Sequence, residues 1–377
     1  MRAVIADWSR SPFTKAHSGS LSEIRPDEIG SQVIRDLFIK SKFEHSAIDD
    51  IIVGCAYPEG EQGYNIGRIM TFLGGFSHEV PGQTINRLCG SSMQSILSAA
   101  ANISLGIGDC YLIGGIESMS RVKRRGFNWS PHPGLNEKYP EAYVNMGITA
   151  ENVADSFGIT REEQELFALE SHNKASKALL NGCFSDELTT ITIGNTEVSN
   201  DGCIRSDTSI ESMSRLQPVF REDGTVTAAT SSPLTDGAVF AIICSEAIAE
   251  SLSLSPLASI VTGAVSGCPP ELMGLGPISA TRRVLDMTGW SIEDVEVFEL
   301  NEAFSSQSIA CIKQLGMDKE LVNIDGGALA IGHPLGASGA RITCKAASIM
   351  NRLGARRAIA SMCIGGGMGM AIALEAV

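Results

Sequence analysis

The sequence predicts an α/β fold in which buried strands alternate with helices. Three observations predict it: short apolar runs recur along the chain, amphipathic helical patterns lie between many of them, and one order of elements occurs twice. Apolar residues make up 44% of the chain, enough to fill a large core. A length of 377 residues is typical of two or three domains.

The apolar runs are predicted to be strands because each is short and bounded by turn or polar residues. They lie at residues 2–6, 50–53, 110–113, 239–243, 257–264, 295–299, 358–363 and 369–374. A helix is predicted to begin at Pro26, where apolar residues start to recur at the spacing of an amphipathic helix. A second helical pattern covers residues 281–287, and residues 291–294 resemble a capped helical turn.

The stretch from residue 120 to residue 232 differs from the rest of the chain. It is rich in charge and opens with a basic run at residues 121–125. A loop with two prolines follows at residues 129–134, and Thr160 is predicted to cap a helix that runs to Ser176. We therefore predict a separate lobe inserted into the α/β core.

Two parts of the chain repeat one order of elements, which indicates a duplicated α/β unit. In the first part, the turn at residues 86–92 leads into a helix, a strand and the glycine pair at 114–115. In the second part, the turn at residues 332–339 leads into a helix, a strand and the glycines at 365–367.

The charge balance excludes some classes of partner. Lys and Arg number 29 against 43 Asp and Glu, a formal net charge of −14. Nucleic acids and anionic membranes require a positive surface, so neither is an expected partner. A small anionic ligand remains compatible because it needs only a local basic patch.

Ten cysteines and the apolar segments bear on the compartment of the protein. No two cysteines have the CxxC spacing of a redox pair or zinc site, so we expect reduced thiols in a cytoplasmic protein. The first residues match no signal or transit peptide, and the last match no peroxisomal signal. Residues 358–374 are uncharged but too few to span a bilayer, and a strand–turn–strand is predicted there.

Cys89 and His333 are the first candidate catalytic residues. Cys89 lies in a tight turn before a helical pattern, and a helix N-terminus lowers a thiol pKa and favours the nucleophilic thiolate. The alternative, a small buried side chain, is the commoner role of a cysteine, and the turn alone leaves both open. His333 lies in GHPLG at residues 332–336, a rigid turn that suits a general base more than a structural histidine.

Cys363 and Asn301 follow the ends of predicted strands. Three glycines close behind Cys363 leave backbone N–H groups uncovered, as an oxyanion hole requires, although a tight hairpin would also explain them. Asn301 lies where open α/β sheets place ligands, but a helix cap is an equal alternative. The glycine-rich segments match neither a P-loop nor a dinucleotide fingerprint, which disfavours hydride transfer.

Taken together, these segments resemble the thiolase family, most closely its degradative 3-ketoacyl-CoA thiolases (acetyl-CoA acyltransferases). The matching segments occur in family order and cover nearly the whole chain. They are NRLCGSSMQ at 86–94, GGIESMS at 114–120, MGITAE at 146–151, GTVTA at 224–228, DGA at 236–238, NEAF at 301–304, GGA at 326–328, GHPLG at 332–336 and CIGG at 363–366.

The resemblance implies the thiolase fold and a division of the chain. Two similar βαβαβαββ halves would pack in five α/β/α/β/α layers, with a loop domain inserted in the first half. Residues 1–118 would form the N-terminal half, completed by about residues 233–256. Residues 119–232 would form the inserted, CoA-binding loop domain, and residues 257–377 the C-terminal half.

The resemblance also implies thiolytic cleavage of 3-ketoacyl-CoA by CoA, as in fatty-acid beta-oxidation. Cys89, deprotonated by His333, would attack the 3-keto carbon, and Cys363 would protonate the departing acetyl-CoA enolate and then deprotonate CoA. Asn301 would hold a water against the enolate oxygen, and the N–H groups of Cys89 and Gly365 would hold the tetrahedral oxyanion. No metal or cofactor is implied, since CoA is a substrate.

The resemblance further implies CoA contacts and partners. The CoA contacts would be Arg205, Ser212 and Ser232, with Met146 and Phe304 lining the pantetheine and acyl end. The basic run at 121–125 is either a solvated face or a further CoA contact. Family members are homodimers or homotetramers, and some assemble with a hydratase–dehydrogenase subunit.

Two departures from the family pattern and several alternatives remain. Asn145 stands where thiolases that act on acetoacetyl-CoA usually carry histidine, which favours longer substrates, and Ala229-Thr230 replaces the usual Gly-Asn or Gly-Thr of the CoA loop. The alternatives are a condensing acetoacetyl-CoA thiolase (acetyl-CoA acetyltransferase), a 3-ketoacyl synthase, and a non-catalytic thiolase-like lipid-binding protein. A second cysteine at 363 disfavours the synthase. A reversible disulfide between Cys89 and Cys363 is also a hypothesis.

Overall fold

The computed structural model of the protein describes residues 2–41 and 43–377. Its strands are β1 (Ala3–Arg10), β2 (Thr14–Lys15), β3 (Asp50–Gly54), β4 (Gly82–Ile85), β5 (Cys110–Ser118), β6 (Ile191–Ile193), β7 (Thr196–Val198), β8 (Thr235–Ser245), β9 (Ala258–Gly267), β10 (Val297–Leu300), β11 (Arg357–Ile364) and β12 (Met368–Glu375). Its α-helices are α1 (Pro26–Lys40), α2 (Ile66–Leu73), α3 (Ser91–Leu105), α4 (Pro133–Lys138), α5 (Met146–Phe157), α6 (Arg161–Leu180), α7 (Ile210–Ser214), α8 (Glu246–Ser251), α9 (Gly276–Thr288), α10 (Ser305–Leu315), α11 (Ala328–Ile331) and α12 (Leu335–Leu353).

The main sheet consists of two halves with the same strand order. The first half runs β4-β3-β5-β8-β1, and the second runs β10-β11-β12-β9, with β1 paired to β9 where the halves meet. A single parallel bridge between Phe298 and Val322 takes the place of β4 in the second half. In each half the first three strands, counting the bridge as one, run parallel to one another. Each of the two strands that follow is antiparallel to the strand before it. The predicted duplication is therefore confirmed.

The central strands β5 and β11 present alternate residues to the middle core and to an outer core. Ile113 of β5 and Ala360 of β11 face the middle core, whereas Leu112 and Ile359 face the outer cores. Glu117, four residues beyond Ile113 in β5, therefore lies on the middle face of the sheet, next to the start of α12.

The helices complete the predicted five layers. α3 and α12 pack against each other in the middle layer, and α12 contacts strands of both halves. α1 and α2 cover the outer face of the first half, and α9 with α10 covers the second. A large apolar core fills the middle layer, and one smaller core lies under each outer layer.

Residues 119–234 connect β5 to β8, which are neighbours in the sheet, so this segment is an excursion from the first half. It holds α4, α5, α6, α7 and the β6–β7 hairpin. The predicted helix behind Thr160 is present with a full capping box and continues to Leu180 rather than Ser176. The predicted loop at 129–134 ends earlier than expected, because α4 begins at Pro133. The exact domain bounds stay a prediction.

A buried ion network joins the inserted segment to both halves. Arg10 of β1 pairs with Glu187 and Asp201 of the insertion, with N–O distances of 2.7 Å to each. Lys345 of α12 pairs at 2.9 Å with Glu187 and with Asp325. Because each charge has a buried partner, this network fixes the insertion against the core.

The other elements predicted from the sequence are present, with shifted ends. The first strand extends beyond residue 6 to Arg10, and the helical pattern at 281–287 is the C-terminal half of α9. β11 and β12 form the predicted strand–turn–strand. The ten cysteines are free thiols. Within the part of the chain that the structure describes, no helix is both long enough and apolar enough to cross a membrane.

Candidate active site

One cavity of about 270 Å³ brings together most of the residues singled out in the sequence. Those that line it are Cys89, His333, Cys363, Gly365, Met146, Ser232 and Phe304. The turn before α3, the turn before α12 and the end of β11 converge on it from both halves, while the inserted segment supplies another wall.

Cys89 lies in a strained turn two residues before α3. Leu88 adopts a left-handed conformation with φ of 46°, and its N–H donates to Oδ1 of Asn86 at 2.9 Å. A Cβ atom at Gly90 would collide with the side chain of Ile364. The glycine therefore lets the end of β11, and with it Cys363, approach Cys89 closely.

The thiol of Cys89 is not a free thiolate in this arrangement. Burial raises its pKa to about 11, although the backbone N–H of Gly365 donates toward the sulfur and acts in the opposite direction. The sequence-based expectation of a lowered pKa is therefore wrong. Desolvation in the cavity outweighs the helix terminus, so the thiol needs a base when it reacts.

We expect the alkylation of Cys89 by iodoacetamide to become steadily faster between about pH 7 and pH 10, without a plateau, since only the thiolate reacts. Peptide mass spectrometry would assign the rate to this cysteine. A plateau below about pH 8 would instead indicate a preformed thiolate–imidazolium pair.

His333 is held in the tautomer that a base requires. The Ser338 hydroxyl donates to the carbonyl of Pro334 at 2.8 Å, so it accepts from Nδ1–H of His333 at 2.6 Å. Nε2 is then left unprotonated, 3.4 Å from Nδ2 of Asn301. Burial, and then the charge of Arg341, lower the pKa of His333 to about 4, so the imidazole is neutral at physiological pH.

Cys363 is buried at the end of β11, and burial raises its pKa well above the usual range for a thiol. It therefore carries its proton at neutral pH and can donate it. Gly366 and Gly367 behind it have φ of 79° and 81°, so the hairpin explanation for these glycines holds. Gly365 does not have a positive φ, and its backbone N–H faces the sulfur of Cys89.

Asn301 is not a helix cap, which removes the alternative that the sequence left open. α10 begins at Ser305, with Phe304 at its N-cap position. The backbone N–H of Asn301 donates to Ser361 of β11, and its buried Oδ1 has no hydrogen-bond partner among the described residues. An unpaired acceptor at this position is suited to a bound water.

The predicted CoA contacts are placed in different surroundings. Ser232 lies in the cavity wall, with its N–H bonded to the carbonyl of Ala303 at 3.0 Å. Phe304 packs edge-on against Phe220, with 6.0 Å between ring centroids. Met146, at the first turn of α5, lies beside them in the same apolar cluster. Ser232, Met146 and Phe220 of the inserted segment thus form one side of the cavity together with Phe304 of the second half.

Arg205 and Ser212 lie outside this cavity. Arg205 lines a neighbouring cavity of about 60 Å³, which shares Ser231 with the first. Ser212 is exposed in the first turn of α7, where it forms a capping box with Ser209. Arg205 is thus placed next to the site, whereas Ser212 is engaged in capping its helix.

The two departures from the family pattern also have local roles. Oδ1 of Asn145 caps α5 by accepting from the N–H of Gly147 at 2.9 Å, and Asn145 is not among the residues that line the cavity. Ala229 lines the neighbouring cavity with Arg205, and Thr230 is buried, with its hydroxyl bonded to the backbone N–H of Thr227.

Several residues of the cavity wall were not predicted from the sequence. They are Tyr57, Leu88, Gly147, Phe220, Ser231, Leu234, Met273, Ala303 and Leu335, together with Arg124 of the basic run. Four of them, Leu88, Gly147, Ala303 and Leu335, lie in the segments that match the family but were not singled out there. Arg124 was noted only as part of a basic run that was either a solvated face or a further CoA contact. The others lie in parts of the chain that carried no sequence signal.

Glu117, at the end of β5, is a fully buried carboxylate that joins the loops around the site. It accepts hydrogen bonds from the backbone N–H groups of Ala56, Tyr57 and Gly336, and from Nε2 of Gln62, at 2.6–3.2 Å. These contacts connect the Tyr57 wall to the turn that carries His333. Burial raises the pKa of Glu117 to about 7 despite these donors.

Glu117→Gln is expected to change the pH dependence of stability. Between pH 4.5 and 7 the folded protein retains a proton on Glu117 that the unfolded chain releases. Rising pH therefore destabilises the wild type relative to the variant, by about 3 kcal/mol over this window. Urea unfolding of both proteins at about pH 5 and pH 8 measures it. Glu293→Gln, at an exposed position, is the control. If the two proteins differed in unfolding free energy by the same amount at both pH values, the expectation would be contradicted.

Two family descriptions match this chain. "Thiolase, N-terminal domain" matches residues 3–247, and "Thiolase, C-terminal domain" matches residues 254–376. Among solved structures, the human mitochondrial 3-ketoacyl-CoA thiolase in complex with CoA superposes with a TM-score of 0.92. That protein is 34% identical, and the match covers 100% of this chain and 98% of that one.

Curated bacterial relatives match over the full length. The 3-ketoacyl-CoA thiolase of Bacillus subtilis (strain 168) is 43% identical, with 99% of each chain covered. The 3-ketoacyl-CoA thiolase of Saccharophagus degradans is 41% identical, with 99% of this chain and 98% of the relative covered.

Proposed function

This chain belongs to the thiolase family, and on that premise we propose that it cleaves 3-ketoacyl-CoA with CoA, releasing acetyl-CoA and a shortened acyl-CoA. The resemblance predicted from the sequence is confirmed. One observation carries the proposal: a single cavity contains the two thiols of Cys89 and Cys363 and a neutral imidazole, His333, whose free nitrogen can accept a proton.

The first half-reaction uses all three groups. Nε2 of His333 takes the thiol proton of Cys89 as the sulfur attacks the 3-keto carbon of the substrate. The C2–C3 bond then breaks, which leaves the acyl group on Cys89 and the electron pair on C2 of acetyl-CoA. Cys363 donates its proton to C2, and acetyl-CoA leaves.

The second half-reaction reverses the roles. The thiolate of Cys363 takes the proton of the CoA thiol, and the CoA sulfur attacks the acyl carbon on Cys89. The shortened acyl-CoA departs, and the proton held by His333 returns to Cys89. No proton is gained or lost over the cycle, and the chemistry requires no metal or further cofactor.

Charge that develops on oxygen is stabilised by fixed donors. The backbone N–H groups of Gly365 and Cys89 act toward the Cys89 sulfur and are suited to a tetrahedral oxyanion there. Once protonated, Nε2 of His333 becomes a donor, and with a water held by Asn301 it stabilises the enolate oxygen. The two backbone N–H donors carry no formal charge, which suits a desolvated cavity.

The inserted segment supplies the CoA side of the site. Ser232 and Met146 of this segment, with Phe304 of the second half, line the pantetheine arm, and Arg205 in the adjoining cavity binds the nucleotide end. Ser212, exposed in the first turn of α7, is the remaining proposed CoA contact. We place the enzyme in the cytoplasm, in fatty-acid beta-oxidation, as a homodimer or homotetramer with the option of a hydratase–dehydrogenase subunit.

The decisive test is thiolysis, followed as loss of the 3-ketoacyl-CoA enolate absorbance after CoA is added. Acetoacetyl-CoA and 3-oxododecanoyl-CoA would be compared under identical conditions. We expect cleavage of the longer substrate at a comparable or higher rate. Cleavage of acetoacetyl-CoA alone would indicate the short-chain alternative, and a folded protein that cleaves neither would contradict the enzymatic function.

A further inference from the structure

One charged side chain lies in the wall of the catalytic cavity, and the reaction steps above do not use it. Among the described residues that line the cavity, Arg124 is the only one with a formal charge at neutral pH, because His333 is neutral there. The wall around Arg124 is otherwise mostly apolar, including Leu88 and Leu335. Arg124 is half-buried, so its charge acts in a partly desolvated space.

The neighbouring arginines of the basic run are already paired. Arg121 forms an ion pair with Glu61, and Arg125 donates to the carbonyl of Tyr143 at 2.8 Å and lies over the Trp129 ring. No ion pair or side-chain hydrogen bond holds Arg124 among the described residues. Its five donors are therefore available to a ligand in the cavity.

The backbone next to Arg124 is fixed, so its place in the wall is built in. The backbone N–H of Arg125 donates to the Tyr57 hydroxyl, and the N–H of Phe127 donates to the Glu59 carboxylate at 2.5 Å. The segment 124–127 is thereby attached to the loop that carries Tyr57. Arg124 and Tyr57 belong to the same side of the cavity.

The nucleotide end of CoA is assigned to a different cavity from the one that Arg124 lines. That cavity contains Arg205 and meets this one at Ser231. The long pantetheine arm separates the CoA phosphates from its thiol, so they cannot reach the surroundings of Cys89. Arg124 instead lines the same cavity as Cys89, and its charge acts on the Cys89 thiol.

We propose that Arg124 adapts the acyl end of the cavity to 3-ketoacyl-CoA substrates whose acyl chain ends in a carboxylate. The inference rests on the proposed thiolytic function and specifies its substrate class. A guanidinium pairs bidentately with a carboxylate, whereas a terminal methyl group would desolvate the charge without compensation.

Substrates matched in length test the inference. We compare 3-oxoadipyl-CoA with 3-oxohexanoyl-CoA, and 3-oxosuberyl-CoA with 3-oxooctanoyl-CoA, so that each pair differs only in its terminal group. For at least one pair, kcat/KM of the wild type should favour the carboxylate by about tenfold or more. Arg124→Met should abolish that preference, and Arg124→Lys should retain part of it.

The control and the contradicting outcomes are specific to this residue. Lys123→Met, at the adjacent exposed position, should leave the preference unchanged. Equal preference in wild type and Arg124→Met would overturn the inference. So would an Arg124→Met variant that raises KM for CoA and for every acyl-CoA by the same factor, because Arg124 would then be a CoA contact.

A binding measurement separates this inference from the thiolytic function. Adipyl-CoA and hexanoyl-CoA lack the 3-keto group, so their affinities, measured by calorimetry, do not depend on turnover. Wild type should bind adipyl-CoA more tightly than hexanoyl-CoA, or suberyl-CoA more tightly than octanoyl-CoA, and Arg124→Met should bind the members of each pair equally. Absence of that difference in the wild type would sink the inference even if thiolysis is observed.

Discussion

Cys89→Ala should reduce thiolysis by at least about four orders of magnitude, because the acyl group then has no nucleophile to receive it. The variant should remain folded, since Cys89 is half-buried beside the cavity and loses only one sulfur atom. The measurement combines turnover, followed by enolate absorbance, with intact-mass detection of the acyl-enzyme. No acyl adduct should form in the variant.

Cys183→Ala is a matched control for Cys89→Ala. Cys183 is also half-buried, but it lies at a separate surface cavity beside Lys345 and Arg352. Its loss should leave turnover within about twofold of the wild type. Substantial turnover by Cys89→Ala, or a comparable loss in Cys183→Ala, would contradict the assignment of the nucleophile.

Cys363→Ala should reduce turnover by about two to four orders of magnitude, because both half-reactions then lack their acid–base group. Alkylation of Cys89 by iodoacetamide should persist, since His333 and its Ser338 contact are unaffected. The expected result is therefore a nucleophile that still reacts with a small reagent but does not complete the cycle. Stopped-flow detection of acetyl-CoA release would locate the slowed step.

Removing a thiol from a buried strand also affects packing, so Cys363→Ser complements the alanine variant. Serine preserves the volume but has a far higher pKa, so it should be slow in both half-reactions. If Cys363→Ser retained wild-type turnover, the proton transfers would have to be assigned to another group. Unfolding by urea would show whether either variant has lost stability.

The sequence identified which side chains react, but it did not predict the direction of the pKa shift of Cys89. Cys89, His333 and Cys363 lie in distinctive glycine-rich segments, and the structure places all three in one cavity. The pKa of Cys89 was predicted in the wrong direction, because the turn and helix are local features whereas desolvation depends on distant segments. The wall formed by residues such as Tyr57 and Phe220 had no sequence signal, because it is assembled from loops far apart in the chain.

The fold was predictable because its sequence signals are local. Strand and helix periodicities depend on neighbouring residues, and the repeated order of elements indicated the duplication before any strand pairing was known. Strand ends were less predictable, as β1 shows by continuing to Arg10 through a register shift between Ile5 and Asp7. That irregularity depends on the partner strand β8, which lies more than two hundred residues later.

Glu117 links the assembly of the active site to the meeting of the two halves. Its carboxyl group belongs to the first half and accepts from the N–H of Ala56 there. It also accepts from the N–H of Gly336, more than two hundred residues later, in the turn that carries His333. The first half alone lacks this donor and the imidazole. During refolding, thiolytic activity should therefore return only after both halves have docked, later than the helices and strands.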